Sequence, residues 1–211
     1  MTRPIVDVVL LTMNDRPEEE RASQATPLAQ RGVDVRICVV GNGCTSDVVP
    51  AGALTVVLAE NLGIPGGRIE GAHALAELDP PADYLFFLDN DASFPQPDVL
   101  ARLVTEAGQH PEAAYVQPRL TGPDDTTTPR RWVPRLRVGD PGRPGTITSM
   151  TEGVVLIRRD VFDQVGGWRE GLFLYHEGFD LSWRIWDRGF GETPPALVRG
   201  WLRSGSCRWN F

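Results

Sequence analysis

Lysine is missing altogether: all 21 basic side chains among the 211 residues are arginines. Walker-type nucleotidases and protein kinases set a lysine against nucleotide phosphates, and pyridoxal enzymes need one for the Schiff base. The absence closes those classes. An anionic ligand must instead be held by guanidinium groups, backbone N–H groups or a metal ion. Cysteine is scarce as well. Cys38, Cys44 and Cys207 are odd in number, far apart and free of any CxxC spacing, which argues against a disulfide framework or a structural zinc site. They read as plain buried or half-buried thiols. Broad basic character is lacking too: the net charge is -7 and the pI is near 5.0, so nucleic acid is not an expected partner. No apolar run approaches the roughly 20 residues that span a bilayer. The opening IVDVVLLTM is soon followed by EEE, unlike a secretory signal, so the expectation is a cytoplasmic protein without a transmembrane segment. Peripheral membrane attachment stays open.

What is present is ordinary globular composition, 41% hydrophobic and 23% charged, enough for one domain with a substantial core. Short β-branched runs alternate with helical patterns. Val6 to Met13, Val33 to Val40, Ala53 to Ala59 and the stretch Tyr84 to Phe94, an apolar run ended by Asp89 and Asp91, read as strands, and AAYVQPRL, 113–120, as another. Pro17 to Gln30, Pro65 to Leu78 and Pro97 to Gly108 read as helices, each with proline at its start. This βαβ alternation predicts an α/β fold, a mainly parallel sheet with helices on both faces. Ligands of such sheets gather at the carboxyl ends of the strands. Three of those ends carry polar, turn-forming residues: Thr12 to Asp15, GNGCTSD at 41–47, and Asp89 to Asp91. The one long unpatterned stretch, Gly122 to Gly145, carries Arg130, Arg131, Arg135, Arg137 and Arg143. Loops of that length are usually functional, although a solvated loop is the plainer account.

The stretch YLFFLDNDASF ends an apolar strand in two carboxylates. On an extended chain Asp89 and Asp91 project from the same side, roughly 7 Å apart. Magnesium takes one or two carboxylates and leaves its other positions to water and phosphate, which such a pair suits. With 16 aspartates in the chain, one such spacing is expected by chance, and a strand-end turn with capping aspartates is the bland alternative. ENLGIPGGRIEG, 60–71, leads a glycine-rich turn into a helix whose N-terminus and Arg68 suit phosphate, or it is a plain connector.

A further constellation lies in YHEGFDLSWRIWDRG, 175–189. At 100° per residue Glu177, Asp180 and Arg184 share one face and Phe179, Trp183 and Trp186 the opposite one. The aromatic stripe reads as core packing. The polar stripe reads either as an Asp180–Arg184 ion pair or as the seat of a general base. His73 and His110 read as surface residues; His176 adjoins the carboxylate face.

Taken together, TMNDRPEE, VVGNGCTSD, NLGIPGGRIEG, FFLDND and the block GVVLIRRDVFDQVGGWREGLFLYHEGFDLSWR resemble the family two glycosyltransferases of the GT-A fold, over nearly the whole chain to about Gly189. The resemblance implies a Rossmann-like sheet and transfer of a sugar, with inversion, from a nucleoside-diphosphate donor to an acceptor hydroxyl. It implies a divalent cofactor, Mg2+ or Mn2+, on Asp89 and Asp91, with Asp89 also near the ribose. Thr12, Asn14, Asn42, Asn61 and Arg68 fall where the family grips the nucleotide. The nucleotide-binding half is then about 1–92 and the acceptor half about 93–189, followed by a divergent tail, 190–211.

Three departures matter. Gly41 replaces an aspartate that reads the base, leaving Asn42 to substitute; Ile69 replaces an asparagine; and Gly178 stands where the family's catalytic carboxylate is usual. Glu177 or Asp180 must then supply the base, or turnover is impaired and the chain is a sugar-nucleotide-binding or partner-binding protein on the same fold. Nucleotidyl transfer is disfavoured, because its glycine-rich signature and lysines are missing. The tail reads as shortened against the family pattern and holds no histidine.

Overall fold

A computed structural model of the chain describes residues 2–13, 17–46, 48–121, 147, 149–151, 153–190 and 206–209. Asn14, the arginine-bearing stretch and most of the tail lie outside the described residues. Six strands form one sheet: β1 (Ile5–Thr12), β2 (Asp34–Gly41), β3 (Leu54–Val57), β4 (Tyr84–Asp89), β6 (Tyr115–Val116) and β8 (Val154–Arg158). Their order is β3-β2-β1-β4-β8-β6. The first four run parallel, and β8 lies antiparallel to both β4 and β6. The result is the α/β architecture expected, a mixed, mostly parallel sheet of the GT-A or Rossmann-like kind.

The side-chain period of two divides the strands between two cores. Val9, Leu85 and Phe87 face α2 (Gly63–Ala76), α4 (Arg159–Gln164) and α5 (Glu177–Asp187). Val8, Leu10, Phe86 and Leu88 face α3 (Val99–Gln109), and α1 (Pro17–Leu28) also contacts the sheet. Burial on both faces explains why β1 and β4 are almost continuously apolar rather than alternating.

AAYVQPRL does not form one strand. Pro118 has no N–H to give a ladder, and after Gln117 and Pro118 the chain passes to a second sheet as β7 (Arg119–Thr121). That sheet has the order β5-β9-β7, with β5 (Ala92–Ser93) and β9 (Ser206–Trp209). Residues near the end of the chain therefore pair directly beside the Asp89–Asp91 turn, with Trp209 opposite Ala92.

The aromatic stripe of α5 is also not core. Leu181 and Ile185, with Ser182, fill the buried face, while Phe179, Trp183 and Trp186 are 44%, 67% and 48% exposed. The helix carries two apolar stripes, and the aliphatic one meets the sheet.

Candidate active site

Strand register sets the site. Thr12 pairs with Gly41, Leu11 with Asp89 and Gly41 with Val57, so the carboxyl ends of β1, β2, β3 and β4 finish nearly flush. The loop residues that follow them are held by side-chain amides. Buried Asn42 accepts at Oδ1 from the Leu62 N–H at 2.9 Å, and its Nδ2 donates to Asn61 Oδ1 at 2.8 Å and to the Gly63 carbonyl at 3.1 Å. The Asn42 N–H donates to the Thr12 carbonyl at 2.9 Å. Asn61 Oδ1 also accepts from the Gly63 N–H at 2.8 Å, and its Nδ2 reaches Met13 Sδ at 3.8 Å. Thr12, Asn42 and Asn61 thus come together, and the asparagine amides brace the loop entering α2.

This bracing consumes the helix N-terminus. The N–H groups of Leu62 and Gly63 go to Asn42 and Asn61, and that of Ile64 to the Phe173 carbonyl at 2.8 Å. The glycines serve close packing. A Cβ on Gly63 would lie 2.2 Å from the Phe173 carbonyl oxygen, one on Gly67 2.3 Å from Leu11 Cδ1, and one on Gly71 2.6 Å from Val9 Cγ1. Gly67 and Gly71, four residues apart, let α2 lie directly on β1 and β2, and Gly63 admits the Phe173 backbone at the helix start.

Seated there, Arg68 is driven inward. It is 1% exposed, and its Nη2 donates to Asp89 Oδ1 at 2.6 Å. Its guanidinium carbon stands 5.8 Å from the Phe87 ring centroid and 5.3 Å from that of Trp168, within cation–π range. Nη1 is buried without a hydrogen-bond partner among the described residues. Trp168 was not legible as part of the site, because nothing in the sequence links it to Arg68 one hundred residues away.

The strand ends at Asp89, and Asn90 and Asp91 form a turn instead of continuing extended. The same-face argument from an extended chain therefore does not carry through to Asp91. Ser23 of α1 donates to the Asn90 carbonyl at 2.7 Å and anchors the turn. Both aspartates are half-buried. Among the described residues no group of three or more His, Cys, Asp or Glu side chains is placed to hold a metal. A donor set limited to two carboxylates suits a hard cation that keeps water and phosphate oxygens, and does not suit a closed protein cage.

At the start of α5 the backbone is unusual. Phe173, Tyr175 and His176 have φ of 46°, 69° and 67°. Such non-glycine conformations persist where surrounding structure over-determines them and cluster at functional sites. Here Leu174 N–H closes a tight turn on the Leu172 carbonyl, and Phe173 is pinned to Gly63 and Ile64. Glu177, 2% exposed, follows immediately. Ser182 Oγ donates to the Gly178 carbonyl at 2.6 Å and accepts from the Met150 N–H at 3.0 Å and from the Tyr115 hydroxyl at 3.3 Å. Burial pushes the Tyr115 hydroxyl well above its ordinary pKa, so it remains a donor.

Asp180 is occupied otherwise. It pairs with Arg184 at 2.7 Å and with Arg169 at 3.0 Å, and Arg184 ties this pair to the carbonyls of Val165 and Gly167, each at 2.7 Å. Of the two readings of that polar stripe, the structure displays the ion pair. His176, exposed, occupies the N-cap position of α5 without a side-chain capping bond among the described residues, and packs toward Phe179 with ring centroids 6.0 Å apart.

The fold and this edge define a GT-A-like α/β protein. The family model described as glycosyl transferase family 2 matches residues 50–166, more than half of the chain, and the chain belongs to that family. Among solved structures it is similar to GalNAc-T7 with UDP, GalNAc and Mn2+ (TM-score 0.71, 15% identity, 99% of this chain and 44% of that one). It is also similar to the mannosyltransferase PcManGT from Pyrobaculum calidifontis in complex with GDP-Man and Mn2+ (0.68, 17%, 99% and 57%). Residues 1–349 of S. aureus TarS are similar as well (0.66, 13%, 100% and 60%). At these identities the likeness is one of fold, and the chain spans less than two thirds of each of the three. No curated protein matches it significantly.

Proposed function

We propose that the chain transfers a sugar from a nucleoside-diphosphate donor to an acceptor hydroxyl, with inversion and with the help of a divalent ion. The observation that carries this reading is the Arg68–Asp89 pair at the carboxyl edge of the sheet, where Arg68 fixes one carboxylate oxygen at 2.6 Å. Asp89 and Asp91 would hold the ion, which neutralises charge on a departing diphosphate when bound. Thr12, Asn42 and Asn61 shape the floor of the donor cleft; Asn14 falls in the same loop by sequence. The half up to about residue 92 takes the nucleotide and the following half the acceptor.

Glu177 is the stronger choice for general base. It starts a helix at the strained turn, whereas Asp180 is engaged by two arginines.

A second reading, a sugar-nucleotide-binding protein with little turnover, is favoured by Gly178, which offers no carboxylate at the family's usual position. Manganese-dependent release of nucleoside diphosphate from a panel of donors separates the two. Release that disappears in Asp91→Asn and Glu177→Gln supports transfer, and nucleotide binding without release supports the second reading. No helix among the described residues is long and apolar enough to cross a membrane.

A further inference from the structure

A groove of about 350 Å³ opens between α2, α4 and the turn after α4. Its far end is marked by Arg159, which begins α4 at the opposite end of β4 from Asp89, with its N–H on the Asp83 carbonyl at 3.1 Å, while its lining also includes Trp168, the ring that Arg68 packs against. Ile69, Ala72, Phe162 and Trp168 supply an apolar wall. Its polar groups are of both kinds. The Arg159 Nε donates to both oxygens of Asp163, at 3.0 and 2.8 Å, and its Nη groups make no hydrogen bond among the described residues. Trp168 is 2% exposed, and its indole N–H has no hydrogen-bond partner among the described residues. Glu170 and His73 complete the lining.

Charge in the groove nearly cancels, since Asp163 offsets Arg159 and Glu170 is the one further carboxylate of the lining. An anion meets two carboxylates, a cation meets a guanidinium, and a purely apolar ligand covers the Arg159 Nη groups and the Glu170 carboxylate without bonding them. The complementary ligand is uncharged, donates and accepts hydrogen bonds, and presents C–H surface. A hydroxylated sugar ring has those properties, and the volume, at the small end of ligand sites, suits a mono- or disaccharide. We infer that this groove is a saccharide-binding subsite distinct from the donor cleft. The inference rests on the lining alone and stands whether or not the chain turns over a donor.

Saturation-transfer NMR on the whole chain tests it, with glucose, galactose, mannose, rhamnose, N-acetylglucosamine and maltose as probes. UDP or GDP with Mn2+ is added to occupy the donor cleft. The expected result is transfer to the C–H protons of at least one sugar, persisting with nucleotide present and falling at least fivefold in Arg159→Met and in Glu170→Gln. Glu170 is exposed, so Glu170→Gln decides alone if Arg159→Met fails to fold. No transfer to any sugar, transfer abolished by nucleotide, or transfer unchanged in Glu170→Gln overturns the proposal.

Discussion

Arg68 and Asp89 meet at 2.6 Å across the boundary between core and cleft, the guanidinium 1% exposed and the carboxylate 28%. A buried cation beneath a half-open anion orients the carboxylate. Partners that orient a metal-binding carboxylate are typically worth roughly 10–100-fold in affinity or activity. Arg68→Lys retains the charge but not the planar fork, so it is expected to weaken Mn2+ binding and diphosphate release by about that factor while remaining folded. Arg68→Met is expected to cost about 1–3 kcal/mol of stability as well, less than a fully buried pair because water still reaches Asp89. Urea denaturation and manganese titration check both. Unchanged manganese affinity in Arg68→Lys would remove Arg68 from the site.

The glycines of α2 make a sharper stability test. Gly→Ala inside a helix ordinarily gains up to about 1 kcal/mol. At Gly71 the new methyl would stand 2.6 Å from Val9 Cγ1 and 2.8 Å from Val40 Cγ2, in a core that has no slack. Overpacking of that kind costs about 1–3 kcal/mol, so Gly71→Ala is expected to be destabilised on balance. A methyl added at Gly108 in α3 would meet nothing within 4 Å, and Gly108→Ala is expected to be neutral or stabilising. If both substitutions behave alike in thermal melts, the close approach of α2 to the sheet is wrong.

These two cases mark what the sequence could disclose. Parallel strands and their carboxyl edge were legible, since apolar runs and the proline or glycine between them report local periodicity. The pairing of Arg68 with Asp89 was not, because it depends on how deeply α2 settles on β1. Read locally, NLGIPGGRIEG suggests a phosphate turn. In the folded chain its leading N–H groups are taken by its own Asn61 and by Asn42 and Phe173, which come from other elements. The aromatic stripe of α5 misled for a similar reason: period alone marks a face as apolar but does not say which of two apolar faces meets the sheet.

Cys38 gives a pH-dependent readout of the core beneath the site. Burial, and secondarily the nearby Asp7 carboxylate, push its thiol up from 9.0 to about 12. In a Cys207→Ser background, Cys44, which is half-buried, is expected to react with a thiol reagent near neutral pH, whereas Cys38 reacts only on unfolding. Because the folded pKa is raised, the thiol favours folding up to about pH 9, and that contribution is lost as pH rises from 9.0 toward about 12. Rapid labelling of Cys38 at pH 8 would contradict its position at the centre of β2.

Glu177 and Asp180 lie three residues apart on α5 yet are expected to fail in different ways. Glu177→Gln keeps the shape of a buried side chain and removes its ability to accept a proton. If it is the base, kcat falls by about 10²–10⁴ with little change in nucleotide affinity. Asp180→Asn loosens Arg184 from the turn at Val165 and Gly167, at about 1 kcal/mol because the pair retains some solvent contact. Its kcat under folded conditions is expected to stay near that of the unsubstituted chain. The comparison needs both melting curves and single-turnover rates, since a destabilised variant can mimic a slow one. A large kcat loss confined to Asp180→Asn would transfer the base to Asp180 and recast the double arginine clamp as a device for orienting it.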